Sequence, residues 1–206
     1  MKYYLLLLLL GLVHTPFIAA QETGLLNELL QESKKDSALL PPKMLLTQRM
    51  FWGEKGLLRV TGIAPLTATA RMKELKWRRA LLKTHQVLGF ATLGGMVAQG
   101  IIGSQLYNGN YKNYEIHQQL GSAINVTYAL GAVTSLLAPP PMLSRDKKFS
   151  ALRLHKWLAV GHMTGMIATN ILAHKAGENA KYKSAHRTAG LLTFASFAAA
   201  TIVVTF

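Results

Sequence analysis

Four histidines carry the most chemistry per residue in this chain. His85, His117, His155 and His186 each stand at the start of a long uncharged stretch, and each is followed four positions later by a small residue: Gly89, Gly121, Ala159 and Gly190. In a helix, residues i and i+4 share a face, so each imidazole has a small side chain one turn deeper beneath it. A flat macrocycle ligated by an imidazole needs that clearance. Four such sets at matched depths are what two bis-histidine heme b groups between helix pairs require. A zinc or di-iron site fits less well, because it needs three or four converging ligands, commonly with carboxylates, and these stretches contain none. Any one of these histidines alone reads as a helix-cap or interfacial residue. Four in register read as ligands, since ionisable residues at membrane depth are functional by default.

The register comes from an internal repeat. A shift of 70 residues lays His85-Gln86-Val87-Leu88-Gly89 over His155-Lys156-Trp157-Leu158-Ala159, and the stretch from Gly95 to Ile102 over that from Gly165 to Leu172. With one residue of loop slippage, His117-Gln118-Gln119-Leu120-Gly121 falls on His186-Arg187-Thr188-Ala189-Gly190. The chain therefore reads as two copies of a helical hairpin in parallel orientation, related by a pseudo-twofold axis along the membrane normal. That symmetry puts His85 and His155 at one membrane face and His117 and His186 at the other.

The elements that must position these residues follow from where charge is missing. Residues 86–111, 116–144, 157–174 and 188–206 contain no Asp, Glu, Lys or Arg. A helix needs about 20 apolar residues to cross hydrocarbon, so the sequence predicts an all-α membrane protein with a four-transmembrane-helix bundle over residues 81–206. Gly94, Gly95, Gly100, Gly103, Gly131, Gly161 and Gly165 would let helix backbones approach in lipid. Ahead of the bundle, Met1 to Tyr4, the apolar run Leu5 to Val13 and the small residues ending at Ala20 follow the pattern of a signal peptide over residues 1–20. Residues 21–80 form a basic amphipathic arm; the span 21–83 holds 12 Lys or Arg against 6 Asp or Glu. Its last part, Arg71 to Lys83 with Trp77, suits the headgroup region, and membrane lipid is the expected partner.

Export of the arm would make the outside, with Arg145, Lys147, Lys148 and Arg153, more basic than the inside, with Lys112, Lys175, Lys181 and Lys183, against the positive-inside rule. Long translocated segments tend to follow the signal, so the arm is expected on the exported side of a plasma or inner membrane.

Other function classes are excluded or left without support. The net charge of +14 comes from 23 Lys+Arg against 9 Asp+Glu in a chain that is 50% hydrophobic, which argues against a disordered basic tail. With no cysteine, disulfides, Cys-zinc sites, iron–sulfur clusters and c-type heme attachment are ruled out. No recognition module accompanies the basic charge, so no nucleic-acid partner is expected. The glycines have no phosphate-cradle spacing, and no Ser-His-Asp set is credible. His162 lies outside the symmetric set, its repeat equivalent being Thr92. It reads as a hydrogen-bond partner for a propionate, a substitute for His155, or a packing residue. His174 reads as interfacial, Met96, Met163 and Met166 as packing, and Asn125 and Asn170 as polar residues able to bond across helices. Lys83, Lys156, Arg153 and Arg187 flank the histidines as candidates to pair heme propionates, or as snorkelling anchors.

The four helix-initial histidines, alternating in side and each with a small residue one turn in, resemble the cytochrome b561 family and its DOMON-linked and ferric-reductase-like relatives over residues about 80–206. The resemblance implies a transmembrane oxidoreductase-type electron carrier. It would pass single electrons between two hemes, ligated by His85 with His155 and by His117 with His186, from a quinol, an ascorbate-like reductant or a redox protein. The flanking helices, DOMON domain and ascorbate-binding motif found in the family are not recognisable here. A homodimer is compatible with the reading. The alternative is a heme-free four-helix membrane scaffold or assembly subunit.

Overall fold

The computed structural model describes residues 39–142 and 150–205. The signal peptide, the start of the arm and the loop carrying Arg145, Lys147 and Lys148 lie outside the described residues. Among the described residues the chain is all-helical: α1 (Leu46–Trp52), α2 (Leu57–Val60), α3 (Ala68–Tyr107), α4 (Tyr114–Leu136), α5 (Ala151–Glu178) and α6 (Lys183–Thr205), with 3-10 turns at Tyr111–Asn113 and Ala180–Tyr182.

The longest element differs from the sequence expectation. Pro65 interrupts the chain, Thr67 caps the next helix by accepting from the Ala70 N–H at 3.2 Å, and no proline follows. The basic segment therefore runs unbroken into the uncharged one. His85 does not open a helix but lies in the middle of α3, and the boundary expected between residues 80 and 81 falls inside it. At 1.5 Å per residue these 40 residues span about 60 Å, roughly twice the hydrocarbon thickness of a bilayer. The other three histidines do sit in the first two turns of α4, α5 and α6.

Two helices, α3 and the stretch Ala180–Thr205 that includes α6, are long and apolar enough to cross a membrane, with mean hydropathy 1.5 and 1.7 over their most apolar windows. Only 6% and 17% of those windows is buried, unlike the core helix of a soluble protein.

The pairing of α3 with α4 and of α5 with α6 is antiparallel and repeats the sequence register. A Cβ on Gly95 would meet Ile124, and one on Gly165 would meet Thr193, its Cα included. Both loops also repeat: Asn110 accepts from the Lys112 N–H at 3.3 Å and Asn179 from the Lys181 N–H at 3.0 Å, each starting a 3-10 turn. Gly109, with φ +90°, makes the first of these bends. A further contact joins α3 to α6.

The described part of the arm is folded onto the bundle. Pro139, Pro140 and Pro141 have no N–H and cannot continue α4, which leaves the carbonyls just after its end without helical donors. Side chains of the arm take them in order. Trp52 Nε1 donates to Leu137 O at 3.0 Å, Gln48 Nε2 to Ala138 O at 3.2 Å, an Arg78 nitrogen to Pro139 O at 2.6 Å, and Arg71 to Pro140 O at 3.0 Å. Arg71 also reaches back to Leu39 O at 3.0 Å. Arg71 and Glu74 are only 1% and 5% exposed, and the Glu74 carboxylate is bonded by both Arg71 and Arg59. The basic helix is thus two-faced, with Trp77 65% exposed on the other side.

Removing one partner of a buried ion pair leaves an uncompensated charge, at a cost of about 3–5 kcal/mol. Glu74→Ala should therefore release the arm, seen as fast hydrogen exchange and proteolysis across residues 39–80, with the helices from α4 onward still protected. The exposed Lys76→Ala should change neither.

Candidate bis-histidine sites

Each expected pair of histidines is brought together by two different hairpins. The rings of His85 on α3 and His155 on α5 have centroids 6.2 Å apart and planes at 83°. Those of His117 on α4 and His186 on α6 are 6.3 Å apart at 86°. Two imidazoles sharing one metal ion at about 2.0 Å per nitrogen, with about 1.1 Å from each nitrogen to its ring centre, stand about 6 Å apart. Both pairs meet that requirement. Along α5 the His155 level and the Thr169 level, where His186 is held, are about 20 Å apart, so the two pairs are separate sites.

Hydrogen bonds fix which ring nitrogen is available. His85 Nδ1 lies 2.9 Å from Gly131 O, His155 Nδ1 2.9 Å from Ala200 O and His186 Nδ1 3.1 Å from Thr169 O. A backbone carbonyl only accepts, so in all three Nδ1 carries the proton and Nε2 keeps its lone pair. That is the tautomer of a metal ligand, with the carbonyl raising ring basicity and locking ring orientation. The first two contacts are equivalents under the repeat, because Gly131 on α4 falls on Ala200 on α6.

His117 is the exception. Its Nδ1 is buried with no partner, and so is Gln99 Oε1. Gln99 stands at the repeat position of Thr169, and its Nε2 donates to the backbone O of His117 at 2.9 Å. The two unpaired atoms therefore belong to residues already joined, a carboxamide acceptor and an imidazole donor. The ring is also confined from α3, since a Cβ on Gly103 would lie 3.0 Å from His117 Cε1.

The small residues one turn in do not all act as expected. Gly89 faces open space, as clearance for a macrocycle requires. Gly121 and Gly190 are instead covered from within their own hairpins: a Cβ on Gly121 would meet Gln99 Nε2 at 3.1 Å, and one on Gly190 would meet Thr169 Cγ2 at 3.8 Å. The smallness of Gly121 lets its hairpin close, whereas a methyl group at Gly190 would make only an ordinary contact. Ala159 is half-exposed on α5.

The cations expected near propionates are placed differently. Lys83 is exposed two residues before His85, and i,i+2 residues do not share a helix face. The guanidinium of Arg187 stacks over the Tyr107 ring at 4.5 Å, joining α6 to the end of α3. Asn125 and Asn170 do bond across helices, reciprocally at 2.7 and 3.0 Å. His174, 82% exposed, pairs with Glu178 on its own helix at 3.3 Å. Among the described residues no three His, Cys, Asp or Glu side chains converge.

Four participants were not legible beforehand. Gly131, Ala200 and Thr169 act through backbone carbonyls, which carry no side-chain signal. Gln99 acts through its side chain, but its repeat partner Thr169 acts through its backbone, so the repeat did not mark it either.

Nitrogen-15 spectra of the metal-free protein at neutral pH should show His85, His155 and His186 as Nδ1-protonated tautomers. Nε2-protonated rings at any of the three would contradict the tethering. No protein-family model, curated protein or solved structure matches this chain.

Proposed function

We propose that this chain is a cytochrome b561-like transmembrane electron carrier. Two heme b groups would be held by His85 with His155 and by His117 with His186. The observation that carries the reading is the pair of imidazole–imidazole approaches at 6.2 and 6.3 Å, in equivalent positions of a repeated hairpin and about 20 Å apart along the bundle.

A four-span bundle is part of this proposal. Large apolar side chains face outward from the two helices of lower hydropathy as well: Val126, Leu130 and Val133 on α4, and Val160, Ile167 and Ile171 on α5. A water-soluble surface does not carry such rows, whereas lipid accepts them. With four spans, the two histidine pairs lie toward opposite faces of the membrane.

When bound, each heme would supply one-electron iron chemistry, with a histidine pair as the residues that would hold it. The protein's own residues hold and tune it. The Nδ1 bonds orient His85, His155 and His186, the apolar helices exclude water, and Gly89 leaves room beside its imidazole. Arg187 at one end and Lys156 at the other directly follow a paired histidine in sequence and are the candidates for propionate contact. The electron donor would be a quinol, an ascorbate-like reductant or a redox protein.

Purified protein should show a sharp b-type α band on reduction and two hemes per chain by pyridine hemochrome, falling to one in His85→Ala. Absence of heme after expression with ample heme supply overturns the reading and leaves a membrane scaffold. Because the native chain has no cysteine, single Lys112→Cys and Lys181→Cys substitutions should label from one side of sealed vesicles and Lys55→Cys from the other. Labelling of all three from one side would contradict four spans.

A further inference from the structure

A third histidine lies between the two pairs. His162 follows His155 by seven residues and precedes Thr169, the residue that holds His186, by seven, so it stands about 10 Å along α5 from each level. It is 8% exposed. Its Nδ1 is 2.8 Å from the Tyr128 hydroxyl on α4, and its ring centre is 4.9 Å from that of Phe197 on α6.

This layer lies on the symmetry axis of the repeat. The register that lays His117 over His186 lays Tyr128 over Phe197, and these two rings are 5.9 Å apart. Residues that are equivalent under a twofold and also neighbours must flank the axis. His85 with His155, Tyr128 with Phe197, and His117 with His186 therefore stack along one line, the aromatic layer in the middle. The symmetry is broken there in one respect. The equivalent of His162 is Thr92, which is 1% exposed and donates to the Thr127 hydroxyl at 3.1 Å. The duplicated layer thus contains one basic group.

The titratable groups facing His162 are Tyr128 from α4, His85 from α3 and His155 from its own helix, while α6 presents Phe197. No Asp, Glu, Lys or Arg occurs in residues 86–111, 116–144, 157–174 or 188–206, so no fixed charge lies in this layer. An open groove of about 410 Å³ between α4 and α5, lined among others by Asn125, Met166 and Asn170, reaches Tyr128 from the side.

We propose that His162 is a redox-linked proton acceptor: as an external one-electron reductant delivers an electron to either histidine-pair site, the His162 imidazole binds one proton from water. The inference rests on the two-heme reading above. Before reduction, Nδ1 accepts from the Tyr128 O–H; after it, Nδ1 carries the added proton and donates to the Tyr128 oxygen. The first electron and one proton enter together and both leave on reoxidation: an O–H bond of a hydronium ion breaks, releasing water, as the Nδ1–H bond forms. The physical reason is charge. An imidazolium is costly in an apolar layer, and an added negative charge about 10 Å away in low dielectric offsets that cost. Protonation then favours the reduced state, so the midpoint potential falls as pH rises.

The test is a spectroelectrochemical titration of the full-length, heme-replete protein in nanodiscs at a series of pH values. Wild type should show a first-electron midpoint that falls with pH at a slope approaching one proton per electron and a second-electron midpoint that is nearly flat, because the two hemes share one His162. His162→Phe and His162→Gln should retain two hemes and lose that slope. Tyr128→Phe should keep the slope and move the pH at which it appears. A flat wild-type profile, or an undiminished slope in both His162 variants, overturns this inference and leaves the two-heme reading standing. A protein without heme overturns both.

Discussion

Close packing within each hairpin sets every other placement in the bundle. In lipid no hydrophobic effect drives helices together, so association depends on how nearly their backbones can approach. Gly165 gives the clearest case, since a side chain there would run into the backbone of Thr193 as well as its side chain. Gly95 against Ile124 is its counterpart in the first hairpin. With that register fixed, Gly131 O arrives at His85 and Ala200 O at His155. A one-residue slip would rotate each acceptor by about 100° around its helix and remove it from the imidazole. The imidazole tautomers therefore depend on glycines that touch no histidine.

Duplication explains which features come in pairs, and the departures from it are informative. The carbonyl tethers of His85 and His155 are equivalent, and so are the asparagine-capped loops at residues 110 and 179. The second pair is unequal. His186 bonds a backbone carbonyl, whereas His117 faces Gln99, whose carboxamide can rotate. A pair with one tethered ring is oriented less firmly than a pair with two. The central layer is unequal as well, with His162 bonded to Tyr128 on α4 and its repeat equivalent Thr92 bonded instead to Thr127.

The sequence made the histidine pairs legible because residue type, spacing and repeat register all pointed to the same four positions. It was a poorer guide wherever function passes through the backbone, since Gly131, Ala200 and Thr169 could be replaced by many residues without losing a carbonyl. Gly121 shows a different limit. Smallness at i+4 is compatible with making room for a ligand or for a neighbouring helix, and only the position of Gln99 distinguishes the two. Charge was misleading in the arm. Arg71 reads as one more surface cation in a basic run, yet it is almost fully buried, because the proline stretch after α4 leaves carbonyls that only a long donor can reach. The helix boundary expected at His85 failed because nothing between Ala68 and His85 breaks a helix.

The arm ties that end of the bundle together in a way the repeat does not duplicate. Arg71 and Arg78 belong to α3, and the carbonyls they bond at Pro140 and Pro139 follow directly from α4, so the clamp joins the two helices of the first hairpin beyond their packed glycines. Gly131, the acceptor for His85, lies about two turns before the clamped carbonyls. A helix end fixed at Leu137 to Pro140 cannot fray or rotate independently of α3, and the Gly131 carbonyl is held with it. Glu74 makes the clamp possible by standing between two guanidiniums that would otherwise repel each other in a buried site. A charged cluster outside the bundle is in this way mechanically continuous with the orientation of an imidazole inside it.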